Sequence, residues 1–138
     1  MRRDQAAFRS CGNRGSGTPC CLIVEDQVLI GMSVEAYLEE LGYEVVGPVP
    51  SSAAALRWLE ANTPDFAILD YALEGGSCAK LATTLKQRGV PFVIYSGHSR
   101  GMDINLDMSD VAWIEKPAAR LDIIKAIQRL PVRGPRSS

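Results

Sequence analysis

Histidine and cysteine are scarce in this chain. One histidine, His98, and four cysteines, Cys11, Cys20, Cys21 and Cys78, stand among 138 residues, and no two cysteines have C-x-x-C spacing. A zinc site needs a set of nitrogen and sulfur ligands acting together, so none is expected. The adjacent pair Cys20-Cys21 heads an apolar run, where small buried hydrophobes explain it. His98, alone in a polar loop, is read as a solvated side chain. No stretch approaches the ~20 apolar residues of a membrane span. The N-terminus has arginines but no apolar segment of the secretory kind. These absences predict a cytoplasmic protein with reduced thiols and no membrane span.

A basic core is missing too. Two basic ends, +3 over residues 1–19 and +2 over residues 131–138, leave the segment between them at −6 in a chain of net −1. An acidic middle argues against direct binding of nucleic acid. It suits a site that gathers carboxylates around a cation.

What is present is a placement repeated along the chain. Five apolar runs read as strands, over 20–25, 44–47, 66–70, 92–96 and 111–115. The runs that carry them are continuous rather than alternating, which is the pattern of parallel strands covered on both faces. Helical patterns lie between them: Ile30, Val34, Leu38 and Leu41 on one face, then Ala55, Leu56 and Leu59, then Cys78, Leu81, Ala82 and Leu85, and last Leu121, Ile124, Ile127 and Leu130. Gly42 is a plausible C-cap of the first. Ser51 or Ser52 caps the second and Ser77 the third. This βα alternation specifies a flavodoxin-like, doubly wound α/β fold. Its five-stranded parallel sheet has order 2-1-3-4-5, with helices on both faces. One connection departs from the pattern. Residues 97–110 hold two glycines and three aspartates, and Met102, Ile104, Leu106 and Met108 recur at a spacing of two. A fourth helix there is expected to be short or irregular.

Four of the strand runs end in a chemically active group. Glu25 and Asp26 follow the first, Asp70 the third, Ser96 the fourth and Lys116 the fifth. In the order 2-1-3-4-5 these share one carboxyl edge, where open α/β sheets hold their ligands. Three close carboxylates repel unless a cation sits among them, and a hard ion such as Mg²⁺ fits such a set. Lys116 adds an ammonium and Ser96 a hydroxyl. Together they suit a dianionic phosphoryl group carried on a carboxylate oxygen.

With Glu25-Asp26, Leu69-Asp70, Ser96-Gly97 and Lys116-Pro117 in this order, the chain resembles a receiver domain of two-component response regulators. Tyr95-Ser96-Gly97-His98 and the stretch from Asp70 to Ser77 are similar to a branch of stand-alone receivers of α-proteobacteria. The resemblance implies phosphotransfer onto Asp70 from a sensor histidine kinase or a histidine phosphotransfer protein. It implies Mg²⁺ held by Asp26, Asp70 and the carbonyl of Ala72, with help from Glu25. Lys116 would pair with the phosphoryl group, Ser96 would hydrogen-bond it, and Trp113 would be the aromatic switch. Two departures stand in the loop after Asp70: most receivers carry proline and glycine where this chain has Glu74 and Cys78.

The expected organisation is a disordered basic leader (1–18), a receiver domain (19–131) and a disordered tail (132–138). Only a short tail follows Pro131, so the expectation is a stand-alone regulator, not an enzyme, acting on an unknown downstream protein or passing the phosphoryl group on. Two alternatives stay open. A phosphorylation-independent pseudo-receiver would be expected to lack one of the acids or the lysine. An aspartate-nucleophile phosphohydrolase would want an acid two residues past the nucleophile, where this chain has Ala72.

Overall fold

In the computed structural model, residues 8, 11, 18–73, 76, 77, 79–97 and 111–131 are described. Strand β1 (Cys20–Val24) is followed by helix α1 (Val28–Glu40), β2 (Glu44–Val49), α2 (Ser52–Leu59) and β3 (Phe66–Leu69). Two short strands, β4 (Ala72–Leu73) and β5 (Gly76–Ser77), precede α3 (Ala79–Gln87), β6 (Phe92–Ser96), β7 (Ala112–Glu115) and α4 (Arg120–Gln128). The main sheet is β2-β1-β3-β6-β7, with every neighbouring pair parallel. Counting only those five strands, this is the order 2-1-3-4-5. The short or irregular helix expected between β6 and β7 falls on residues outside the described ones.

Side chains leave a strand alternately to its two faces, and both faces are covered. Leu22, Val24, Ala67, Leu69, Phe92 and Ile94 pack with Ala55 and Leu59 of α2 and Leu81 and Leu85 of α3. Cys21, Ile23, Phe66, Ile68 and Tyr95 pack on the opposite face with Val34 and Leu38 of α1 and Ile123 and Ile127 of α4. Trp58 joins the first core.

Both positive-φ turns after helices have the same form. After α1, Gly42 (φ 96°) donates to Glu39 O and Tyr43 to Leu38 O. After α3, Gly89 (φ 73°) donates to Lys86 O and Val90 to Leu85 O. Each pair satisfies carbonyls that the helix end leaves open. At the head of α2 the Ser51 hydroxyl accepts from Ala54 N at 3.1 Å.

Several expectations are corrected. β2 runs through Pro48 to Val49 instead of ending at Gly47, because the β1–β2 register shifts between Leu22 and Val24. An edge strand with an irregular register tolerates a proline that a central strand would not. Ser77, expected at the head of α3, lies in β5, pairs antiparallel with Ala72, and the helix starts at Ala79. Leu121 is exposed, because the buried stripe of α4 runs through Ile123, Ile124, Ala126 and Ile127. The thiols are not all reduced either. Cys11 and Cys20 form a disulfide with Cα atoms 5.8 Å apart, inside the usual span of such bridges. The bridge joins residues nine apart, a spacing that signals nothing by itself. Phe8 also packs on the first core. Among the described residues no helix is long and apolar enough to cross a membrane.

Candidate phosphoacceptor site

Register brings the site together. Val24 pairs with Leu69 and Leu69 with Ile94, so the residues following β1 and β3 emerge level with the last turn of β6. Asp70 N donates to Val24 O at 2.9 Å, which pins the aspartate beside the end of β1. On the far side Ser96 pairs with Glu115, and Lys116 N donates to Ser96 O at 2.7 Å. Each polar residue thus stands at or just past the carboxyl end of a strand that hydrophobic burial holds in place.

Glu25, Asp26 and Asp70 each offer one carboxylate oxygen, and these atoms lie within 4.8 Å of one another. Glu25 and Asp70 are buried and Asp26 is half-buried. Lys116 Nζ lies 3.0 Å from Glu25 Oε1 and 3.3 Å from Asp70 Oδ2. Its ammonium also stands 5.5 Å from the centre of the Tyr95 ring. Burial pushes the Glu25 carboxyl up to about 7; Lys116 opposes the rise and the neighbouring Asp70 adds to it. Crowded acids of this kind are relieved by a cation. Three hard oxygen donors at a sheet edge match what Mg²⁺ accepts, so the residues present fit that ion.

The N-cap of α1 is Gln27, and Gln27 N donates to Glu25 Oε2 at 3.1 Å. Ser96, expected to donate to a phosphoryl group, is wholly buried at the end of β6. Trp113 lies on β7 next to Ile94, and its ring meets that of Tyr71. Ala72, expected to lend its carbonyl to the metal, opens β4 two residues past Asp70. His98 lies outside the described residues, as do Glu74 and Cys78.

Two side chains of the site were not singled out from the sequence. Gln27 Oε1 accepts from Lys116 Nζ at 2.9 Å, across 89 residues. Tyr71 follows Asp70 directly and is buried. Adjacency to Glu25-Asp26 and to Asp70 was the only signal either carried.

Residues 21–128 match the family model described as the response regulator receiver domain. A curated relative is the transcriptional regulatory protein PdtaR of Mycobacterium tuberculosis, 29% identical over 110 residues, which cover 78% of this chain and 54% of that protein. The chain therefore spans about half the length of this relative. Among solved structures, a response regulator receiver protein from Sinorhizobium medicae superposes with a TM-score of 0.73 at 22% identity, covering 81% of this chain and 93% of that one. The receiver domain of a sensor histidine kinase from Pseudomonas aeruginosa, with magnesium ion coordinated in its active site cleft, has a TM-score of 0.69 at 23% identity over 81% and 96% of the two chains.

Proposed function

The chain belongs to the response regulator receiver domain family, and we propose that Asp70 is the carboxylate on which it accepts a phosphoryl group. Phosphorylation on an aspartate is typical of that family, and its members work with phosphodonor kinases in two-component signalling. The observation that carries the assignment is the ring of groups around Asp70: two further carboxylates whose oxygens lie within 4.8 Å, and an ammonium at 3.3 Å.

In the transfer, an Asp70 carboxylate oxygen attacks the phosphorus of a phosphohistidine. The P–O bond forms as the P–N bond breaks, and the imidazole leaves with a proton from solvent. Little covalent help is needed from the protein, so positioning and charge do the work. Lys116 neutralises the phosphoryl oxygens and the Ser96 hydroxyl donates to one of them. Asp26, Asp70 and the Ala72 carbonyl would hold Mg²⁺, with Glu25 supporting them from beside Lys116, and the ion would supply charge neutralisation to the phosphoryl oxygens. The Pseudomonas aeruginosa receiver with magnesium in its cleft supports that assignment by analogy of fold. Ser96 and Trp113 form the switch that reads the modification.

The donor must bring its phosphohistidine to the sheet edge. Val28, Leu29 and Met32, exposed in the first turns of α1 just past Gln27, offer it an apolar surface. The working unit is the receiver of residues 19–131, in the cytoplasm. It signals to a downstream protein rather than turning over a substrate.

Incubation with acetyl phosphate and Mg²⁺ tests the reading. One phosphoryl group per chain is expected by intact mass, none in Asp70→Asn and none when the metal is chelated. Unchanged labelling of Asp70→Asn overturns it.

A further inference from the structure

Lys116 has its three hydrogens committed at the sheet edge. Its Nζ donates to Gln27 Oε1 at 2.9 Å, to Glu25 Oε2 at 3.1 Å and to Asp70 Oδ2 at 3.3 Å. An ammonium has three donors and no more. The carboxylate read as the phosphoacceptor is the most distant of the three partners. Gln27 is itself anchored, since its N–H donates to Glu25 Oε2 at 3.1 Å while its side chain makes no capping bond to α1.

We propose that Gln27 is a positioning residue that holds Lys116 on the Glu25 side of the site until a phosphoryl group on Asp70 draws the ammonium across. The proposal rests on the reading of Asp70 as phosphoacceptor. Drawn toward phosphoryl oxygens on Asp70, the ammonium moves away from the Glu25 side and gives up one of its present bonds there. Asp70 hands its charge to the phosphoryl oxygens when it becomes an acyl phosphate, so its bond to the ammonium passes to them, whereas leaving the buried carboxylate of Glu25 would strand a charge. Gln27 is neutral and exposed, so water replaces the lysine on its oxygen at little cost. The lysine moves on a flexible stem as a point charge, which suits a short transfer between acceptors. A contact made only in the unmodified state stabilises that state, and so Gln27 sets how readily the phosphoryl form is populated. No atom passes through Gln27.

The test compares wild type with Gln27→Leu, which removes the acceptor at similar bulk. It adds Gln27→Ser, which is too short to reach the lysine and is a favoured helix cap. Beryllofluoride with Mg²⁺ is titrated against tryptophan emission. Both variants should bind the mimic roughly threefold to tenfold more tightly, and the gain should vanish in a Lys116→Ala background. Affinities equal to or weaker than wild type overturn the proposal, as does a gain that survives Lys116→Ala. A second measurement needs no phosphoryl mimic. Acetic anhydride should acetylate Lys116 faster in both variants, read by peptide mass, and equal rates overturn the hold by Gln27. Wild type failing to bind beryllofluoride would instead count against the phosphoacceptor reading, and the acetylation rates would still decide the contact.

Discussion

The rings of Tyr71 and Trp113 lie 5.3 Å apart at an interplanar angle of 44°. One ring follows Asp70 and the other stands three residues before Lys116 on β7. The contact therefore links the strand end that carries the acceptor to the strand that carries the ammonium. Aromatic pairs at this separation contribute about 0.5–1.5 kcal/mol beyond their buried area.

Tyr71→Leu should keep the apolar bulk while releasing the Trp113 ring. In a Trp58→Phe background, where Trp113 is the single reporter, the emission anisotropy should fall and the beryllofluoride-induced change in emission should shrink. An unchanged anisotropy would mean that Tyr71 does not hold the ring.

The two acids after β1 should differ in their effect on Mg²⁺. Both oxygens of Glu25 are within 3.1 Å of Lys116 Nζ, and one also accepts from Gln27 N. Asp26 is half-buried. Mg²⁺ binds through one or two carboxylates and keeps several waters, so Asp26 should touch the ion and Glu25 should act through its neighbours. Glu25→Ala should weaken Mg²⁺ about tenfold, and Asp26→Ala considerably more. Equal losses in a fluorescence titration would contradict this order.

Glu25 also gives the metal-free protein a signature in pH. Its carboxyl, ordinarily near 4.5, is pushed up to about 7 in the folded chain, chiefly by burial. Between those values the folded state holds a proton that the unfolded state has lost, so stability falls as pH rises through the window. Below it the penalty is absent, and above it the penalty is complete. Glu25→Gln stays neutral throughout. With chelator present, the stability of wild type relative to Glu25→Gln should decline from pH 4.5 to about 7 and then level off. Parallel profiles in urea unfolding would show that Glu25 ionises without cost.

The parallel sheet was legible because Leu22-Ile23-Val24, Phe66-Ala67-Ile68-Leu69 and Phe92-Val93-Ile94 are buried on both faces and admit no polar residue. The site was legible for the same reason: a polar residue ending such a run has to emerge at the sheet edge. Contacts that depend on tertiary approach were not. Nothing local marks Gln27 as a partner of Lys116 or Cys11 as a partner of Cys20. Gly31 shows the same limit. A Cβ on it would stand 2.5 Å from Pro48 Cγ, so glycine is what lets α1 lie against the end of β2. In a helix of ordinary pattern that glycine carries no such label. The two-residue strands β4 and β5 are too short for any periodicity, so Ser77 read as a helix cap.

Locating the phosphoryl group tests the central claim most directly. Protein treated with acetyl phosphate and Mg²⁺, then reduced with borohydride, converts an acyl phosphate to an alcohol that peptide mass spectrometry can place. The account predicts homoserine at position 70 and at no other carboxylate. Reduction at Glu25, Asp26 or any other acid, with Asp70 intact, would contradict it.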